Sequence, residues 1–346
     1  MKLPSLISSL RLAVVFATLL GIGKAAPYLE KATLFESGIG GYAYYRVPGL
    51  VVTAKGTILA YCEARLTGHS DWENIDLLLR RSTDGGRTWD APRKVAFVPG
   101  PHVKNPVALE RGKVGADEVT YSNPVAIAGR DGTVHFLFCH EFNRGFYLRS
   151  DDDGVTFSSP AELTAALDGF RPAFDWKVVA FGPMHGIELA SGRLVVAVWF
   201  ALGTQGAGFQ RSAVATIYSD DQGRTWRCGD IAIPPTPERI NPNSPAIAQV
   251  DDGKEGPGKM RDRRNLSIHL SYDNGMTWAI IKSLEPGDAQ FSDLGLLPDG
   301  RILCLYESGQ TPGKMSFAGH NIRSLIRARF NLDWLTDGKD AGERMR

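Results

Sequence analysis

The chain has 346 residues, 43% hydrophobic and 22% charged, with 39 basic against 38 acidic side chains and a formal net charge of +1. So even a balance offers no argument for binding nucleic acid or for a polybasic membrane contact. The 38 glycines ask for many tight turns in an otherwise ordinary globular composition.

Residues 1–26 read as an export signal. Lys2 and Arg11 lead an apolar run over 12–22, and small residues Gly23, Ala25 and Ala26 follow. The alternative is an N-terminal membrane anchor, for which the run is short. The expected location is secreted or periplasmic, with 27–346 as one domain and no integral membrane span once the signal is removed. Four cysteines, Cys62, Cys139, Cys228 and Cys304, lie far apart in or beside apparent strands. They allow three pairings, and buried free thiols are the expectation. Asn265-Leu266-Ser267 matches a glycosylation sequon by pattern.

Beyond the signal the chain repeats one turn. Ser82-Thr-Asp84-Gly-Gly86-Arg-Thr88-Trp89 returns as Ser150 to Phe157, Ser219 to Trp226 and Ser271 to Trp278. The shared pattern is S-x-D-x-G-x-T-[WF]. Ser and Asp can hold a tight turn through backbone N–H groups. Gly supplies a positive φ, and the aromatic ring can fold under the turn as an anchor. Apolar strands such as 133–139, 193–199 and 301–306 follow the turn dipeptides Asp131-Gly132, Ser191-Gly192 and Asp299-Gly300. A repeat at tens of residues predicts an array of similar units, here the four-stranded blades of an all-β propeller. A β-sandwich would need no such spaced, identical turn. Five blades are expected near 45–95, 100–165, 175–230, 240–283 and 288–330, with a strand near 31–36 available to close the ring. The boxes begin 68, 69 and then 52 residues apart, so the interval before the last box is short.

Several segments outside the boxes carry candidate chemistry. They are Tyr45-Arg46-Val47-Pro48, then Glu63-Ala64-Arg65 with Asp71 and Asp76 downstream. Arg263-Arg264-Asn265-Leu266-Ser267, Phe291-Ser292-Asp293-Leu294 and Leu305-Tyr306-Glu307 follow. Together with the boxes, over about 31–335 and in this order, they resemble the exo-α-sialidases. The resemblance implies a six-bladed β-propeller that removes terminal sialic acid from glycoproteins, glycolipids or other sialylated glycans with retention, using no cofactor and no metal.

What it implies for single residues follows from the ligand. Sialic acid bears a carboxylate on its anomeric carbon, and the family grips it with three arginines, whose planar forks suit bidentate pairing. The first falls on Arg46 and the third on Arg263. The acid/base falls on Asp71, Arg65 lies near the pocket, and Glu307 supports the first arginine. The family's nucleophile is a Tyr, with a Glu as its base. This chain writes Phe291 at the Tyr position, and a phenyl ring has no hydroxyl to attack with. The family's Glu and second arginine belong to the interval that is short here. Ser244 falls about where the Glu would be, and Arg261 is the one candidate for the second arginine. One blade is therefore expected to be shortened or missing, and the rival reading is a degenerate glycan-binding propeller. Asp76 reads as structural, Glu63 with Arg65 as an ion pair, and His185 as a turn residue. His140-Glu141 matches no metal spacing. Tyr306 and Tyr272 are remote substitutes for the lost hydroxyl.

Overall fold

The computed structural model describes residues 26–68, 70–112, 114–115, 117–204, 208–236, 264–272, 277–309 and 324–339. They build four mostly antiparallel sheets and three short helices. The first sheet joins Tyr44–Val52, Ile58–Arg65, Ile75–Ser82 and Arg93–Lys94. The second joins Tyr121–Ala128, Val134–His140, Arg144–Ser150 and Ala161–Glu162, with Met184–His185 added in parallel. In the third, Leu194–Ala201 lies between Val178–Phe181 and Ser212–Ser219, with Arg227–Ile233 outermost. In the fourth, Leu29–Glu36 pairs with Ser324–Phe330, so both ends of the described chain share one sheet. Ile302–Gly309, Ile280–Leu296 and Arg264–Leu270 continue it.

The sheets stack through alternating apolar faces, as propeller blades do. Leu59, Tyr61, Leu77 and Leu79 of the first pack on Ala126, Phe136, Phe138 and Phe146 of the second. Leu137 and Tyr147 of the second meet Val178, Phe181, Val196 and Val198 of the third. Leu303, Leu305 and Leu325 of the fourth return to Leu50, Ile58 and Ala60 of the first. Cys62, Cys139 and Cys304 are buried free thiols, as expected, and Cys228 is half-buried and free.

One blade boundary differs from expectation. The blades placed at 240–283 and 288–330 are not separate where they are described. Ile280–Leu296 is one long strand that pairs with Arg264–Leu270 through its first half and with Ile302–Gly309 through its second. Glu285-Pro286-Gly287, between the two expected blades, is absorbed as a bulge at the change of partner. Four sheets thus stand among the described residues where five blades were counted, and 237–263 lies outside them.

Three of the four boxes show the expected chemistry at the exit of each sheet's third strand. Asp152 Oδ2 accepts from Thr156 Oγ1 at 2.6 Å, and Oδ1 accepts from the Thr156 N–H at 2.8 Å and Ser150 Oγ at 2.8 Å. Ser150 Oγ takes the Gly154 N–H at 2.9 Å, where φ is 75°. Asp84 and Asp221 repeat the pattern. Trp89, Phe157 and Trp226 pack against the cores beneath. The fourth ring does not: Trp278 is 55% exposed and meets His269 edge-on, so it is no core anchor.

These bonds favour the ionised carboxylates. Bonds from Thr156 and Thr225 hold Asp152 and Asp221 down at about 2. A depressed carboxylate contributes stability above its unfolded value near 4, and loses it as pH falls through the folded value. The melting temperature should therefore drop between pH 4 and pH 2. In the double variant Asp152→Asn, Asp221→Asn that slope should be shallower by a few °C, on the order expected for two lost bonds. Calorimetry at stepped pH reads both. Identical slopes would contradict the assignment.

Candidate functional site

Two bulges with buried carboxylates behind them organise the site. In Tyr44–Val52 the register skips between Arg46 and Gly49. Val47 sits at φ 51°, a costly conformation for a β-branched residue. Its N–H, freed from the ladder, donates to Glu307 Oε1 at 2.8 Å, and Glu307 is fully buried. The same device recurs at Ser122-Asn123-Pro124. There φ of Asn123 is 52° and its N–H donates to Glu63 Oε1 at 2.9 Å. Each carboxylate stands on one sheet and caps a bulge in a strand of the neighbouring sheet.

Arg46 projects from the first bulge. Its Nε lies 3.5 Å from Glu307 Oε1, and its Nη2 donates to Gln290 Oε1 at 3.0 Å. Its Nη1 lies 3.9 Å from Asp71 Oδ1, and the guanidinium stands 6.0 Å from the Phe291 ring centre. Arg65 is buried, with Nη1 donating to Asp71 Oδ1 at 2.6 Å and Nη2 to Glu63 Oε2 at 2.6 Å. Burial works against the Arg65 charge, but Asp71 and Glu63 outweigh it and hold the guanidinium firmly protonated. Burial pushes Glu63 above the usual carboxylate range, with Arg65 opposing.

The structure thus brings Arg46, Arg65, Asp71, Phe291 and Glu307 into one cluster. Arg263, Arg261 and Ser244 lie outside the described residues. Asp76 is structural, bonded to Tyr42 Oη and Lys94 Nζ at 2.7 Å each. His185 is more than a turn residue: Nδ1 lies 2.7 Å from Asp293 Oδ1, which lifts the imidazole's affinity for a proton against its burial. Tyr306 is fully buried and donates to Glu285 at 3.2 Å. It faces away from Glu307, its strand neighbour, and so away from the Arg46 cluster. Among the described residues no three His, Cys, Asp or Glu side chains converge as metal ligands.

Sequence reasoning missed three contributors. Gln290 bonds Arg46, and its only signal was its place beside Phe291. Glu63 caps a bulge in the next sheet as well as pairing Arg65. Trp72, 1% exposed, moors the Asp71 loop by stacking on Phe209 at 5.2 Å between ring centres and meeting Phe142 at 4.8 Å. The Thr120 hydroxyl closes that loop on the carbonyls of Trp72 and Glu73 at 2.8 Å each.

Chemically, this is an arginine fork beside an ion-paired aspartate, with the apolar Phe291 ring 6.0 Å away. It can pair a carboxylate, and the Asp is held by Arg65 through one oxygen, Oδ1.

The family model for the BNR repeat-like domain matches residues 104–343. The sialidase of Micromonospora viridifaciens is 25% identical over 389 residues, covering 89% of this chain and 55% of that protein. The chain therefore spans about half the length of that relative. A Hadza microbial sialidase superposes with a TM-score of 0.62 at 19% identity, over 88% of this chain and 69% of that one. Trypanosoma rangeli sialidase in complex with sialic acid superposes at 0.54 with 16% identity, over 88% and 59%. Sheets stacked blade on blade, turn boxes at three sheet exits and these matches agree: the chain belongs to the BNR-repeat sialidase family and is built as a sialidase-type β-propeller.

Proposed function

We propose that this chain binds the terminal sialic acid of glycoproteins, glycolipids or other sialylated glycans through Arg46, without the covalent step of hydrolysis. The juxtaposition of Arg46 and Phe291 at 6.0 Å carries the reading. The carboxylate-gripping position is occupied and backed by Glu307, while the ring at the nucleophile position has no hydroxyl. Binding of sialic acid by the related Trypanosoma rangeli sialidase supports the ligand class. Residues 1–26 would export the chain to where such glycans lie. Among the described residues, no helix is long and apolar enough to cross a membrane.

A second reading, retained exo-sialidase hydrolysis, is favoured by one observation. Asp71 lies 3.9 Å from Arg46, where a general acid would serve the same ligand. It is less favoured because Phe291 has no hydroxyl to attack with.

Free sialic acid at ~50 mM should raise the melting temperature, as a native-state ligand does, while a fluorogenic sialoside stays uncleaved by the wild type. Phe291→Tyr should restore measurable cleavage, and Asp71→Ala in that background should remove it. Wild-type cleavage lost in Asp71→Ala selects the second reading. An unchanged melting curve without cleavage removes both.

A further inference from the structure

The far face of the fourth sheet, turned away from Arg46, carries a cavity of about 340 Å³ that the proposed sialic-acid site does not use. Its floor follows from the strand register. Thr33, Ile326 and Tyr306 stand in one cross-strand row, and Ser324 and Ser308 pair in the next. Side chains alternate along a strand, so this row faces opposite to Glu307 and Leu325. Glu285 comes in from the long strand beside it. Though 6% exposed, its Oε2 accepts from Tyr306 Oη at 3.2 Å and lies 3.4 Å from Lys31 Nζ.

The chemistry selects the ligand class. A buried carboxylate repels an anion, and the ammonium beside it cancels the attraction for a cation. What remains is a fixed acceptor, a fixed donor and the hydroxyls of Thr33, Ser308 and Ser324, which can act as either. The half-buried Ile326 side chain supplies an apolar edge. Hydroxyls alternating with C–H faces are what a neutral sugar presents. The volume lies within the ~300–1,000 Å³ of small-molecule sites, and a few convergent polar groups on a partly apolar wall is their usual composition.

We propose that this cavity is a second glycan-binding site, for a neutral hexose, with the Glu285 carboxylate as principal acceptor and Lys31 as donor. It is independent of Arg46. A sialylated chain held at one site and a neutral sugar at the other would bind by avidity.

Saturation-transfer NMR and calorimetric titration on the full chain test this with D-galactose and lactose, against sodium acetate and choline chloride. Galactose and lactose should bind, and the two salts should not. Glu285→Gln should weaken binding at least ~10-fold, the loss of one charge-assisted bond. Ser324→Val, at the half-buried rim, should also weaken it, and serves if the Glu285 variant fails to fold. Saturating free sialic acid should leave lactose bound. The proposal is overturned by no sugar binding at ~50 mM. Equal binding in both variants, preference for acetate or choline, or displacement of lactose by sialic acid would also overturn it.

Discussion

Arg46→Ala is expected to lower the affinity for free sialic acid about 100-fold or more, and to remove its effect on the melting temperature. A carboxylate on the Arg46 fork would gain two charge-assisted hydrogen bonds, each worth about 1.5–3 kcal/mol, and about 1.4 kcal/mol is tenfold. The fork is held in place before a ligand arrives. Glu307 and Gln290 fix two of its nitrogens, and its side chain is 12% exposed. Arg46→Lys should recover only a minor part, because a point charge lacks the paired donors. The alanine variant leaves Glu307 buried, yet Glu307 keeps the Val47 N–H, so the fold should survive. Calorimetric titration, with circular dichroism as the folding control, reads the result. Unchanged affinity in Arg46→Ala would sink the assignment of this residue.

What could be read in advance divides along a physical line. Box turns are local: Ser82, Asp84, Gly86 and Thr88 satisfy one another within seven residues, so sequence alone shows them. The clustering of Arg46, Arg65 and Asp71 with Phe291 and Glu307 came from the family resemblance, since 220 residues separate Asp71 from Phe291 (291 − 71). Partition into blades was misjudged at Glu285-Pro286-Gly287, because whether a Pro-Gly pair ends a strand or makes a bulge depends on the partners on either side. Gln290 was invisible for the same reason, as its bond partner is 244 residues away. Trp278 shows the converse: a box ring reads as an anchor, but burial depends on a neighbouring surface that local pattern does not encode.

Glu63→Ala should cost about 3–5 kcal/mol of stability, the range for breaking a buried ion pair by removing one partner. One carboxylate does two jobs in the dry interior. Oε1 takes the Asn123 N–H of the second sheet, and Oε2 takes two donors of Arg65. Alanine strands both: a buried N–H loses its acceptor, and the Arg65 guanidinium keeps Asp71 alone. Glu63→Gln should cost less, because its amide oxygen can still accept from Asn123. The double variant Glu63→Gln, Arg65→Met should lose clearly less than the sum of its single variants, since removing both charges leaves no unpaired ion behind. Urea unfolding of the four proteins closes that cycle. Additive losses would mean that the two side chains act separately. A coupled cycle would tie the position of Asp71 to a clasp between two sheets.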